Sequence, residues 1–253
     1  MSQSALRTRL HNGETVLGTF QVINSIMVAE MIGIAGFDYV IFDQEHGAYG
    51  PKTSMKLAAG AENTGAAPIV RVSRNDKPAI QRALDIGSAG VQVPQVETKE
   101  DAERAVEATR FEPIGSRGLS QYVRAGQYRG KDDYTDRENR RVTLIVQVEG
   151  TRGINNIDEI LAVDGIDVVF LGPYDLSQSL GIPGQVNHHE VESRMKEVCD
   201  KAQEKNVIVG AFSDTPENAR QWIETGVQYV TLGVDGAFLT NYLESMRSAV
   251  SKA

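Results

Sequence analysis

The chain has 253 residues, 41% of them hydrophobic and 24% charged, which is the composition of a globular protein large enough to bury its core without covalent staples. Its net charge of −8 argues against nucleic acid or an anionic membrane as partner, because both need clustered basic surface. One cysteine, Cys199, excludes an internal disulfide and a cysteine-built metal site. The opening "MSQSALRTRLHNGETVLGTF" lacks the apolar core of a signal peptide and no run reaches membrane-spanning length, so the cytoplasm is the expected compartment.

In chain order, short apolar runs alternate with segments of helical periodicity. The strand "TVLGTFQ" (15–21) precedes the helix "SIMVAEMIGIAG", and "FDYVIFD" (37–43) precedes "PKTSMKLAAGAENTG". Next come "APIVRV" (67–72) with "KPAIQRALDIG", and "GVQVPQV" (90–96) with "TKEDAERAVEATR". After an irregular stretch at 111–142 follow "TLIVQVEG" with "INNIDEILAV", and "DVVFLG" with "VESRMKEVCDKAQEKN", where Cys199 reads as a small buried helix residue. The series closes with "VIVGAFS" and "TPENARQWIETG", then "YVTLGVD" and "AFLTNYLESMRSAV". The strands are nearly continuous hydrophobics, as in a parallel sheet covered by helices, and several helical segments end on glycine. Eight strand–helix units in one domain, 1–253, give the arithmetic of a (β/α)8 TIM barrel. A doubly wound open sheet is the alternative, but no G-x-G-x-x-G follows the first strand.

A barrel presents its chemistry at the C-terminal ends of its strands. The polar residues Asp43, Glu45 and His46 follow strand two, Arg71 ends strand three, Gln147 and Glu149 end strand five, and Asp175 follows strand six. Alternation puts Gln147 and Glu149 on one face, with Val146 and Val148 turned to the helices. Glu149 is then either paired with an arginine or a ligand for a hard divalent cation, with Asp175 as a second ligand. In "GPYDLS" Pro173 opens a helix, so Tyr174 and Asp175 sit in its first turn; Asp175 is there a helix cap, or the free N–H groups hold a substrate carboxylate. Arg71 either pairs with Glu149 or Asp43 or stabilises an oxyanion on a bound keto group. His46 beside Asp43 reads as an oriented base or as a solvent-facing loop histidine, whereas His11, His188 and His189 lie in polar connections and look incidental. No lysine falls in any strand run, which disfavours a Schiff-base aldolase.

The segments "FDQEHG", "PIVRV", "GSRGLSQYVRAGQY", "LIVQVEGTRGINNIDEILAVDGIDVVFLGPYDLSQSLG" and "LGVDGAFL" give the chain a resemblance to the HpcH/HpaI aldolase family over nearly its whole length. These are class II, metal-dependent pyruvate or 2-keto-3-deoxy acid aldolases, including hydroxy ketoacid aldolase-like members. The resemblance implies a barrel of the phosphoenolpyruvate/pyruvate superfamily type whose last helix swaps between subunits of a hexamer, a dimer of trimers. It implies a divalent metal, Mg²⁺ or Mn²⁺ with Co²⁺ or Zn²⁺ as alternatives, held by Glu149 and Asp175. Arg71 then contacts the keto oxygen of the donor, and His46 with Asp43 handles protons. Gln147 and the turn Gly172, Pro173, Tyr174 and Asp175 match donor-binding positions. Arg124 aligns with an arginine linked to the acceptor's far end, and the surface near Phe212 shares in acceptor choice. Gln44 stands where relatives often carry glycine or alanine.

The expected reaction is reversible addition of a pyruvate or hydroxypyruvate enolate to an aldehyde, giving a 4-hydroxy-2-keto acid. Two alternatives are a citrate-lyase-type acyl-CoA lyase, which wants a basic CoA-binding surface, and a non-catalytic barrel that binds keto acids. The small-molecule keto acid and aldehyde are the expected partners.

Overall fold

The structure, a computed structural model, describes residues 5–251. Among them eight parallel strands close into a barrel in sequence order. They are β1 Val16–Gln21, β2 Tyr39–Asp43, β3 Ala67–Arg71, β4 Gly90–Val93, β5 Thr143–Val148, β6 Val168–Leu171, β7 Ile208–Ser213 and β8 Tyr229–Val234. Each lies within a run expected from the sequence, and β8 returns to pair with β1.

Alternation divides the apolar residues between two cores. One side of each strand, including Val40, Phe42, Val70, Val146, Val148 and Val169, packs against the helices. The other fills the barrel interior with Tyr39, Ile41, Ile69, Ile145, Val168, Phe170, Ile208 and Tyr229. In the middle layer Tyr39 and Tyr229 stack at 4.1 Å between ring centroids. Gly18 makes room for them, since a Cβ there would fall 2.1 Å from the Tyr39 ring. The helix α1, Ala5–His11, was not foreseen; it seats Leu6 and Leu10 in the N-terminal mouth of the barrel and closes that end.

The helices α2 Ile26–Ile34, α3 Pro51–Asn63, α4 Lys77–Asp85 and α5 Lys99–Thr109 cover the first half. Their starts follow local rules: Asp76 accepts from the Ala79 N–H ahead of α4, and Thr98 and Asp101 form a reciprocal capping box on α5. The stretch 111–142 is less irregular than its polarity implied. Residues Arg124–Gly126 form a 3-10 turn, and Tyr134–Arg141 form helix α6. Its apolar anchor is Tyr134, buried against Phe111 at 5.6 Å, so one aromatic pair replaces the periodic stripe. Because a helix returns the chain to the N-terminal end of the barrel, this whole stretch lies at the end opposite the C-terminal strand tips.

The second half carries α7 Thr151–Asn155, α8 Ile157–Ile160, α9 Pro173–Ser179, α10 His189–Glu204, α11 Pro216–Glu224 and α12 Asp235–Ser251. Cys199 is buried in α10, as its helical setting implied, and burial pushes its thiol up to about 12, which leaves it inert. No helix among the described residues is long and apolar enough to cross a membrane.

Candidate active site

The C-terminal rim gathers Asp43, Arg71, Gln92, Gln147 and Glu149 into one buried polar network. Register does the first part. Asp43 lies beside Arg71 in the β2–β3 ladder, and Arg71 lies beside Gln92 in the β3–β4 ladder. The Arg71 guanidinium donates from Nε to Asp43 Oδ1 at 2.9 Å and from a terminal nitrogen to Oδ2 at 2.7 Å, a fork matched to a carboxylate. It also pairs with Glu45 at 3.2 Å and lies over the Phe20 ring at 4.4 Å. Burial opposes its charge, but Asp43 and the carboxylates of Glu45 and Glu149 outweigh it and raise the Arg71 pKa. Arg71 is a fixed cation.

A chain of amides orients the glutamate after β5. Gln92 Nε2 donates to Gln147 Oε1 at 2.7 Å, and Gln147 Nε2 donates in turn to Glu149 Oε2. The other oxygen, Oε1, accepts from the Gln95 backbone N–H at 3.0 Å. Gln95 has φ 55, a left-handed conformation unusual for a non-glycine residue, and that conformation aims its N–H at the carboxylate. Burial pushes the Glu149 carboxyl up to about 7, helped by the negative Asp175 and Glu45 and opposed by the Gln147 and Gln95 hydrogen bonds.

Around this floor stand the more open residues. Asp175 is exposed in the first turn of α9, behind Pro173 at the first helical position and Gly172 at the cap. Gly172 is a required absence of side chain, because a Cβ there would lie 3.0 Å from Glu149 Oε2. His46 is exposed, and only its backbone N–H reaches Asp43, at 3.3 Å. The Glu45 N–H reaches the same Asp43 oxygen at 2.9 Å. Gln44 points away, donating to Ser54 on α3 at 2.8 Å, so it leaves the loop's interior face to its neighbours. Phe212 stands near the end of β7, 6.1 Å from Phe20 and 5.9 Å from Tyr174 between ring centroids.

Comparison with known proteins gives the family and the fold. The profile of the HpcH/HpaI aldolase/citrate lyase family matches residues 17–241. A 5-keto-4-deoxy-D-glucarate aldolase of Shigella boydii is 34% identical over 219 residues, 87% of this chain and 85% of that protein. The structure of an HpcH/HpaI aldolase/citrate lyase family protein from Burkholderia cenocepacia superposes with a TM-score of 0.92 at 33% identity, covering 98% of each chain. The citrate synthase SbnG superposes with a TM-score of 0.90 at 31% identity, covering 98% of this chain and 97% of its own. The chain belongs to the HpcH/HpaI aldolase/citrate lyase family.

Of the residues singled out from the sequence of this family member, Asp43, Arg71, Gln147, Glu149, Gly172, Pro173, Tyr174, Asp175, His46 and Phe212 all lie at the C-terminal rim. Arg124 does not. Its guanidinium pairs with Glu62 near the end of α3 and donates to the Ile86 carbonyl at 3.0 Å, at the N-terminal end of the barrel. Glu45, noted in the sequence at the end of strand two, is drawn in by Arg71. Two contributors were missed: Gln92 starts the amide chain, and Gln95 caps Glu149. Only the polar Gln92 and Gln95 inside "GVQVPQV" signalled anything, since a central strand rarely carries glutamine without a use for it. His11 is not incidental either: at the end of α1 it lies 3.0 Å from Asp167.

Glu149 and Asp175 fit a hard divalent cation. The carboxylates of Asp43, Glu45 and Glu149 all act on one arginine, and Asp175 adds to the negative charge around Glu149. Among the described residues no group of three or more His, Cys, Asp or Glu side chains is arranged around a metal position. Two carboxylates, leaving the other positions to water and substrate oxygens, is the donor set that Mg²⁺ or Mn²⁺ accepts.

Proposed function

We propose that the chain is a class II aldolase that reversibly adds the enolate of a pyruvate-type 2-keto acid, pyruvate or hydroxypyruvate, to an aldehyde. The observation that carries this reading is the meeting of a fixed cation, Arg71, with the buried carboxylate Glu149 on one rim of the barrel. Glu149 and Asp175 would hold the metal, which when bound polarises the keto oxygen of the donor as a Lewis acid. Mg²⁺ or Mn²⁺ is the expected ion, with Co²⁺ or Zn²⁺ able to substitute.

In the cleavage direction the 4-hydroxyl proton of the keto acid passes to His46. The C3–C4 bond then breaks, the aldehyde leaves, and the electron pair becomes an enolate whose charge rests on the keto oxygen. Arg71, locked by Asp43 and Glu45, faces that oxygen without needing to reorganise. Protonation of the enolate at carbon gives pyruvate. Gln147 orients the donor beside Glu149, and Gly172 with Pro173, Tyr174 and Asp175 forms the adjoining wall. No strand among the described residues carries a lysine, which disfavours an imine route.

The chain acts as a single barrel domain, 1–253, in the cytoplasm. A swapped α12 joining subunits into a hexamer fits the apolar side chains that this helix leaves exposed, among them Leu239, Leu243, Met246 and Val250. Arg124 can meet an acceptor only if a neighbouring subunit presents it and Glu62 releases it. The acyl-CoA lyase reading lacks support in this acidic chain, whereas the likeness to SbnG keeps a carbon–carbon condensation in view.

The test is an aldol and retro-aldol assay on a panel of keto acids and aldehydes, before and after exhaustive chelation. Activity should vanish with the metal and return with added Mg²⁺, Mn²⁺ or Co²⁺. Full activity after chelation would sink the class II reading.

A further inference from the structure

Beyond the donor floor a second feature crosses the mouth of the barrel. The Tyr174 hydroxyl, from the first turn of α9, donates to Asp214 Oδ2 at 2.9 Å across the gap between the β6 and β7 connections. Asp214 directly follows β7, and both side chains are exposed. The Tyr174 ring meets Phe212 edge-on at 5.9 Å, Phe212 leans on Phe20 at 6.1 Å, and Phe20 lies under Arg71. An aromatic wall therefore runs from the cation at the donor site to a carboxylate at the rim. Tyr174 also adjoins Asp175, so whatever fixes its ring fixes the approach to the metal position.

An exposed tyrosine in the first turn of a helix needs no partner, because water satisfies it. Here it is held from two sides, by a ring and by a carboxylate. Burial first, then the hydrogen bond to Asp214 and its charge, together push the phenol up to about 12. Asp214 spends one oxygen on Tyr174; Oδ1 has no protein partner among the described residues. A carboxylate oxygen at the far end of an apolar wall is an acceptor for a hydroxyl hydrogen.

We infer that the Tyr174–Asp214 bridge is an acceptor-recognition element that selects aldehydes carrying a hydroxyl group on the carbon chain over their deoxy counterparts. The reading rests on the aldolase assignment above. The acceptor's carbonyl carbon sits at the enolate, its carbon chain lies along Phe212 and the Tyr174 ring, and a hydroxyl donates to Asp214 Oδ1. Tyr174 is then a positioning residue that holds Asp214 at the right reach, and Asp214 makes the contact. A site that hydrogen-bonds a substrate hydroxyl discriminates against the analogue lacking it far better than an apolar pocket discriminates by size.

The experiment compares glyceraldehyde with propanal as acceptors for pyruvate, in the metal-loaded full chain, and reads the ratio of their kcat/KM values. Replacing Asp214 by alanine should lower that ratio roughly tenfold, as expected for one hydrogen bond to a charged group at an open site. Asp214→Asn, which keeps an accepting oxygen, should retain much of the preference. Tyr174→Phe should lower the ratio by roughly threefold, with the change in KM for glyceraldehyde rather than for pyruvate. A ratio unaltered in Asp214→Ala, or equal losses with both aldehydes, would overturn the inference. Exchange of the pyruvate methyl protons in D₂O by the unsubstituted enzyme, with no aldehyde present, separates the two readings. Exchange with an unmoved ratio removes the bridge alone, and absence of both exchange and aldol addition removes the bridge together with the aldolase reading.

Discussion

Asp43 binds Arg71 with both carboxylate oxygens and the loop backbone with one of them, so its effect on His46 is through the chain rather than through the ring. From the sequence, Asp43 and His46 looked like a carboxylate orienting an imidazole. Three residues of separation made that natural, and the cross-strand register that gives Asp43 to Arg71 leaves no local trace. The two substitutions should consequently differ in kind. Removing a positioned general base typically costs a hundred- to ten-thousand-fold in rate, and His46→Ala should lose that much retro-aldol cleavage with pyruvate binding nearly intact. Asp43→Asn should release Arg71 from its fork and weaken handling of the donor as well, raising KM for the keto acid. Titration of pyruvate binding beside the cleavage rate decides between them. Normal cleavage in His46→Ala would reduce the loop to a well-placed turn.

The elements themselves were legible, because eight apolar runs between amphipathic segments admit few other arrangements, and helix starts such as Asp76 and Thr98 follow capping chemistry. What stayed hidden was the N-terminal end of the barrel, where stability rests on charge rather than periodicity. Asp167, just before β6, accepts from Arg7 at 2.8 Å, Arg110 at 2.7 Å and the Leu144 N–H at 2.8 Å, with His11 at 3.0 Å. Burial alone would raise its pKa, but the His11 contact, the two arginines and the backbone N–H bring it down to about 2. Arg110 gains less from the same pair: burial and the nearby charges of Arg7 and Arg117 lower its pKa despite Asp167. A depressed carboxylate stabilises the fold fully above its unfolded value near 4 and loses that contribution as pH falls through about 2. The linkage is worth about 2 kcal/mol, while Asp167→Asn should cost about 3–5 kcal/mol near neutrality by stranding buried Arg110. Urea unfolding from pH 7 to pH 3 should show the gap between parent and variant narrowing below pH 4. A gap independent of pH would mean that packing, not charge, holds this end.

At the scale of the whole molecule the barrel satisfies its own cores and leaves one element over. The helix α12 is anchored where Asp235, buried at its start, accepts the backbone N–H groups of Val22 at 3.0 Å and Ile23 at 3.1 Å. That contact explains the "LGVDGAFL" segment, which ties the last helix to the β1–α2 connection. Beyond it the side chains of Leu239, Tyr242, Leu243, Met246 and Val250 are more than half exposed, spaced three and four apart along one stripe. On the barrel wall α2 offers a second apolar set, with Met27, Met31 and Ile34 all above 60% exposure. Monomers rarely leave contiguous apolar surface of this kind in water, and a second copy of the chain can cover both patches by a reciprocal contact. The swapped assembly proposed above would rest on that complementarity and not on the interior of either barrel, so charge placed on the stripe should break the assembly without unfolding the subunit. Leu239→Glu with Leu243→Glu is expected to shift the mass measured by light scattering to smaller species, while the far-ultraviolet circular dichroism of the barrel is kept. Light scattering that finds the unsubstituted chain monomeric at micromolar concentration would show instead that the stripe stays open to solvent.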